Sequence, residues 1–217
     1  MTPLFELVFF DVDSTLVSIE GIDELAAGDP EVARMTERAM NGEVAIDRVY
    51  ALRLERIRPG ARAIAALAER YLKNLVPGAE ETLGALRAAH VDVHLVTAGI
   101  RQAVAPLAEK LGVAPRALHA VALKFDREGE YAGYDAASPL ARAGGKELIV
   151  LNVRARSHGK AAFVGDGVTD LEAKDAVDRF IGFGGVRERE RVAAEAEFYV
   201  RDKSLASVLP YLMEEDG

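Results

Sequence analysis

Residues 4–10, Leu-Phe-Glu-Leu-Val-Phe-Phe, form a near-continuous apolar run that stops abruptly at Asp11-Val12-Asp13-Ser14-Thr15. A short run of this kind reads as a buried strand, the pattern found in parallel sheets. Along an extended chain, side chains at i and i+2 share a face, so Asp11 and Asp13 are expected side by side where the strand enters a loop. Two adjacent carboxylates repel unless a cation or a shared proton separates them. That pairing points to a metal or phosphoryl-transfer site. The ordinary alternative is a turn rich in Asp and Ser.

Downstream, the apolar pattern changes twice. From about residue 17 to 75 it is helical, rich in Ala, Glu, Arg and Leu, with breaks near Gly28-Asp29-Pro30, Asn41-Gly42 and Pro59-Gly60. Those breaks predict about four short helices. After Pro77-Gly78, helix and strand alternate. Helices are expected over 79–90, 100–111 and 144–155, and strands over 91–97, 161–164, 180–183 and 197–200. A hairpin is expected within 121–135, turning at Arg127-Glu128-Gly129. Alternation of this kind predicts an α/β fold, a Rossmann-like, mainly parallel sheet flanked by helices. The helical block then becomes an insertion: a small cap of residues 16–75 on a core of 1–15 and 76–217. Ligands of such sheets bind at the carboxyl ends of the strands, where Asp11, Thr97 and Asp166 each follow an apolar segment.

Composition narrows the function. The 217 residues are half apolar, carry a net charge of −8 and contain no cysteine. Disulfides, zinc–thiolate sites and thiol nucleophiles are excluded, and the absence of cysteine fits a cytoplasmic location. With no Lys/Arg block, nucleic acid is not expected as a partner. No apolar run is long enough for a bilayer, and the N-terminal run lacks the basic lead-in of a signal peptide, so no membrane association is expected. The four histidines, His90, His94, His119 and His158, lack metal-ligand spacing and read as surface or core residues.

Four elements carry the chemistry: Asp11-x-Asp13, Thr97-Ala98-Gly99, Lys146 after Gly144-Gly145, and Gly165-Asp166-Gly167-Val168-Thr169-Asp170. Their patterns and order resemble the haloacid dehalogenase superfamily. A phosphomonoester is dianionic near neutral pH and repels a bare carboxylate nucleophile. A hard divalent cation, Mg²⁺ best of all, cancels that repulsion. Asp11 and Asp166 are the expected side-chain ligands. The resemblance adds the backbone carbonyl of Asp13 and places Asp170 in support. Asp11 is expected to attack phosphorus, and Asp13 to protonate the departing alkoxide and then deprotonate water. Thr97 and the N–H groups of Ala98 and Gly99 are expected to hold phosphoryl oxygens, and Lys146 to neutralise charge. Dehalogenases of the superfamily generally lack the second aspartate, so Asp13 favours phosphate chemistry.

A closer resemblance, through nearly the whole chain, is to the phosphoserine phosphatase family. It is carried by Asp11–Thr15 with Glu20-Gly21-Ile22-Asp23-Glu24-Leu25, by Met35–Met40 with Arg53, by 129–134, by 144–146 and by Phe180–Gly185. It implies that Glu20 pairs with a substrate ammonium, that Arg53 grips a carboxylate, and that Met40 and Thr169 contact substrate. Spacing alone does not separate Arg53 from Arg56, and Glu20 could equally cap a helix. Ala98 stands where the family usually has Gly, and Asn41 replaces a frequent Gly. The implied activity is Mg²⁺-dependent hydrolysis of L-phosphoserine, completing serine biosynthesis. The alternatives are a phosphatase or phosphotransferase for another small phosphomonoester, or a non-catalytic phosphometabolite-binding protein. Cap motion is expected to hinge near residues 13–15 and 75–78.

Overall fold

The computed structural model describes residues 2–41, 43–44 and 46–214. Gly42 lies outside the described residues, as does the side chain of Met40. After a short strand β1 (Thr2–Pro3), β2 (Leu7–Phe10) is followed by four helices: α1 (Gly21–Leu25), α2 (Pro30–Met40), α3 (Ile46–Ile57) and α4 (Ala61–Lys73). Then come α5 (Ala79–Ala88), β3 (Asp92–Ile100), α6 (Arg101–Lys110), β4 (Leu118–Val121), and the hairpin β5 (Leu123–Phe125) with β6 (Tyr131–Tyr134). The chain continues through α7 (Gly145–Arg154), β7 (Ala161–Gly165), α8 (Val168–Leu171), β8 (Arg179–Phe183), α9 (Glu190–Glu195), β9 (Phe198–Val200), α10 (Leu209–Leu212) and β10 (Met213–Glu214).

Six strands make one sheet in the order β4-β3-β2-β7-β8-β9, every neighbouring pair parallel. β1 and β10 pair as a separate antiparallel ribbon. Every residue of β2 and of β7 is buried, so both faces of the sheet centre are covered, as crossover helices require. The four inserted helices break where the turn residues predict. Asp29 caps α2 by accepting from the Glu31 N–H at 2.9 Å, with Pro30 in the first turn.

The expected strand 4–10 is shorter than predicted, because residues 4–6 leave the ladder and Leu4 N–H instead donates to the Leu212 carbonyl. Strand β3 runs three residues past the expected end, through Gly99 to Ile100. The edge strand β4 is an addition. It pairs only with β3, and its four residues, Leu-His-Ala-Val, merge in the sequence with the hairpin that follows.

Parallel register lines up one aromatic row across the core. His94, Phe9, Phe163 and Phe180 sit opposite one another on β3, β2, β7 and β8. Successive ring centroids are 5.3, 6.3 and 6.1 Å apart. Ring pairs in this range add packing energy beyond area burial. Phe163, the centre of the row, is fully buried. Phe163→Ala is expected to lower stability by about 3–5 kcal/mol, read by equilibrium urea unfolding; a loss under about 1 kcal/mol would contradict the row's central role.

Candidate active site

Strand β2 ends at Phe10, opposite Val164, and its neighbour β7 runs one residue further, to Gly165. Their next residues put Asp11 and Asp166 side by side at the carboxyl edge. Helix α8 begins at once after Gly167 and returns Asp170 to the same spot, where its Oδ2 accepts from the Gly167 N–H at 2.9 Å. Carboxylate oxygens of Asp11, Asp166 and Asp170 all lie within 4.8 Å of one another, and all three residues are buried. Lys146, in the first turn of α7, reaches into the group. Its Nζ is 2.6 Å from Asp11 Oδ1 and 2.5 Å from Asp170 Oδ1. Helix α7 can start there because Gly145 has no side chain; a Cβ would overlap the Pro139 carbonyl.

Electrostatics mark this as a site short of positive charge. Burial is the chief cause that pushes Asp11 up to about 7, with Asp170 adding to it and Lys146 opposing. Burial likewise raises Asp166 well above the carboxylate range, with Glu20 adding to it and Arg189 pulling the other way. Burial works against the charge of Lys146, yet Asp11 and Asp170 outweigh it and raise its proton affinity. Hard oxygen donors, tightly grouped and under-neutralised, fit a divalent cation.

Asp11 and Asp13 feel each other's charge, but they serve different partners. Asp13 lies outside the three-carboxylate group. Its Oδ1 accepts from the Tyr71 hydroxyl at 2.8 Å and from the Gly21 N–H at 3.2 Å. Burial first, then Glu20 and Asp11, raise its pKa well above the ordinary value. The loop after Asp13 turns sharply at Ser14, a non-glycine residue at φ 55°, a conformation that stores strain. Its hydroxyl donates to Glu20 Oε1 at 2.7 Å. Glu20 occupies the N-cap position of α1 but makes no capping hydrogen bond there. Its carboxylate faces inward, which removes the helix-cap alternative.

On β3, Thr97 Oγ1 accepts from the Gly99 N–H at 2.9 Å. Ala98 lies within the strand and is not among the residues with positive φ, so an L side chain fits there without backbone strain. Thr169 is buried in the first turn of α8.

Arg53 and Arg56, indistinguishable by spacing, separate cleanly. Arg56 is exposed and pairs with Asp29 at 2.6 Å and Glu31 at 3.0 Å. Arg53 is buried on α3; its Nη1 donates to Thr36 Oγ1 at 2.8 Å, and its Nε is buried without a partner. Burial lowers its pKa, opposed by Asp23, Tyr50 and Glu20, which surround the guanidinium.

Sequence reasoning missed two residues of the site. Arg189 is buried. Its Nε is 3.0 Å from Asp166 Oδ2, its Nη2 3.7 Å from Glu20 Oε1, and its Nη1 donates to Asn41 Oδ1 at 3.3 Å. One arginine among Arg187, Arg189 and Arg191 carries no local signal. Tyr71, the other, reads in sequence as an ordinary member of the apolar stripe of α4. A cleft of about 390 Å³ beside Arg189 is lined by Glu37, Asn41, Glu43 and Val168 among others.

Comparison with known proteins places the chain in a family. The family described as haloacid dehalogenase-like hydrolase matches residues 5–177. Phosphoserine phosphatase of Bos taurus is 39% identical over 201 residues, covering 91% of this chain and 89% of the relative. The chloroplastic phosphoserine phosphatase of Arabidopsis thaliana is 40% identical over 201 residues, covering 90% and 68%. Among solved structures, a phospho-aspartyl intermediate analogue of phosphoserine phosphatase superposes with a TM-score of 0.81 at 25% identity, over 95% of this chain and 98% of that one. A phosphoserine phosphohydrolase-like protein from Francisella tularensis shares the fold, with a TM-score of 0.84 at 20% identity over 96% and 99%.

A carboxyl whose folded-state pKa is raised keeps protons that the unfolded chain has released, so its contribution to stability falls as pH rises through that interval. For Asp11 the interval runs from the ordinary carboxyl range to about 7. In metal-free buffer, the stability of Asp11→Asn relative to native protein is therefore expected to increase as pH rises across it. Thermal unfolding at several pH values measures the difference, and a pH-independent difference would contradict the charge shortage.

Proposed function

The chain belongs to the phosphoserine phosphatase family of the haloacid dehalogenase-like hydrolases, and from that premise we propose that it hydrolyses L-phosphoserine to L-serine and phosphate through a phosphorylated Asp11. The observation that carries this reading is the buried Asp11–Lys146–Asp170 bridge beside Asp166. It holds a carboxylate ready to attack where anionic charge can be neutralised.

Roles follow from position. Asp11 Oδ attacks phosphorus while Asp13 donates its proton to the departing serine oxygen; water then attacks the aspartyl-phosphate as Asp13 takes its proton. Lys146 holds the charge of Asp11 and of the transferring group. Thr97, with the N–H groups of Ala98 and Gly99, receives phosphoryl oxygens, and buried Thr169 borders them. Asp11, Asp166 and Asp170, with the Asp13 backbone carbonyl, would hold Mg²⁺. Bound there, the ion supplies charge neutralisation and alignment of the phosphoryl oxygens.

The leaving group is read elsewhere. Glu20 offers a buried carboxylate to an ammonium. The unpartnered Nε of Arg53 leaves a buried donor for a carboxylate, since an orphaned donor in such a place costs about 1–3 kcal/mol unless a ligand satisfies it. Arg53 comes from the inserted helices and Asp11 from the sheet. This division supports residues 16–75 as a cap over a core of 1–15 and 76–217, closing to exclude water before attack. Among the described residues no helix is long and apolar enough to cross a membrane, and the cysteine-free composition supports a cytoplasmic enzyme acting at the last step to serine.

Phosphate release from L-phosphoserine is expected to require Mg²⁺, to vanish in Asp11→Asn, and to exceed release from phosphothreonine and phosphoethanolamine. Equal kcat/KM on all three would overturn the substrate assignment. Arg53→Ala is expected to lower kcat/KM for phosphoserine by roughly 10- to 100-fold, the worth of a charged hydrogen bond, and to affect an aryl phosphate far less. Equal losses on both would contradict a carboxylate clamp.

A further inference from the structure

Asp13 is held from outside its own loop. Tyr71 lies in the last turn of α4, fully buried, and its hydroxyl donates to Asp13 Oδ1. The Gly21 N–H donates to the same oxygen. The two donors approach together because residue 21 has no side chain; a Cβ there would overlap the Tyr71 hydroxyl and crowd its ring. The other oxygen, Oδ2, faces the phosphoryl loop: a Cβ built on Gly99 would lie 3.4 Å from it and 3.0 Å from Thr97 Oγ1.

An oxygen that already accepts two hydrogen bonds is a poor place for a proton. Both groups donate to Oδ1; the Gly21 N–H can only donate, so a proton on Oδ1 would meet it head-on and would require the Tyr71 hydroxyl to turn from donor to acceptor. Oδ2 has neither partner. We propose that Tyr71 is a positioning residue for the acid–base step: with the Gly21 N–H it saturates Oδ1 of Asp13, which confines the mobile proton to Oδ2, the oxygen turned toward Thr97 and Gly99. This rests on the phosphatase reading above. In the first step the bond from Asp11 oxygen to phosphorus forms, the bond from phosphorus to the leaving oxygen breaks, and the Oδ2 proton moves to that oxygen. In the second, water oxygen bonds to phosphorus, the Asp11–phosphorus linkage breaks, and the water's proton returns to Oδ2. Tyr71 neither gains nor loses a proton. It sets the direction of transfer, and a misdirected acid costs most when the departing alkoxide is most basic.

The test is the dependence of kcat/KM on leaving-group basicity, measured with Mg²⁺ for native protein and Tyr71→Phe. A series of phosphomonoesters running from L-phosphoserine and alkyl phosphates to p-nitrophenyl phosphate supplies the range. In Tyr71→Phe, kcat/KM for alkyl esters is expected to fall by about 10- to 100-fold, and that for the nitrophenyl ester by less than about threefold, since nitrophenolate leaves with little help from an acid. The slope against leaving-group pKa becomes more negative. For the nitrophenyl ester kcat and KM fall together, because the later attack of water still depends on Asp13.

A purely structural role for Tyr71 would lower every ester alike, and that result, or an unchanged slope, overturns the proposal. Gly21→Ala is the second variant. It is expected to steepen the slope in the same way, and the double variant to add nothing further; additive losses would also overturn it. A steeper slope in an enzyme with no preference for phosphoserine would support the positioning role while refuting the substrate assignment. Native protein that releases phosphate from no ester in the series would overturn both.

Discussion

The bridge from Lys146 to Asp11 and Asp170 is the interaction on which the rest of the site depends. An isolated buried ion is costly, and a buried pair is tolerated only with close geometry and satisfied hydrogen bonds. Here one ammonium is shared by two carboxylates at 2.6 and 2.5 Å, while Asp166 leans on a second cation, Arg189. Two cations thus face three carboxylates, with Glu20 and Asp13 close behind. The sheet can host this density because β2 and β7 are buried along their whole length and end within one residue of each other. Burial first, and neighbouring carboxylates after it, raise the proton affinities of Asp11, Asp13 and Asp166. A divalent cation held by these carboxylates would lower that cost.

The inserted helices complete the site through long-range polar ties rather than through a continuous sheet. Tyr71 on α4 holds Asp13. Asn41 at the end of α2 accepts from Arg189, and Glu37 on the same helix pairs with Arg187 at 3.1 Å. The Arg53–Thr36–Asp23 chain links α3, α2 and α1 into one buried polar unit. The first three of these ties join the inserted helices to the rest of the chain, and the last holds the helices to one another.

Much of this was legible in the chain. Strands, helices and the four inserted helices follow from apolar periodicity and turn residues, which act over a few positions. Asp11, Lys146, Asp166 and Asp170 were legible because each sits at a strand end or in a helix's first turn within a short motif, and Thr97 because it closes the apolar run of β3, although the strand continues to Ile100. The same reasoning predicted a side-by-side Asp11 and Asp13, whereas their carboxylates have separate partners. Ala98, an apparent departure from the family pattern, fits because β3 continues through it in extended form.

What the sequence by itself determined is the α/β order of elements and the local chemistry at each strand end, since hydrophobic period and turn geometry are written in neighbouring residues. Only the tertiary structure decided which of two nearby arginines is buried, and which tyrosine and which third arginine enter the site. Tyr71 meets Asp13 across 58 positions, and Arg189 meets Asn41 across 148. No local pattern encodes such meetings. They depend on where a folded sheet and four inserted helices bring distant side chains, and on which of those can be buried only because a partner of opposite polarity is already there.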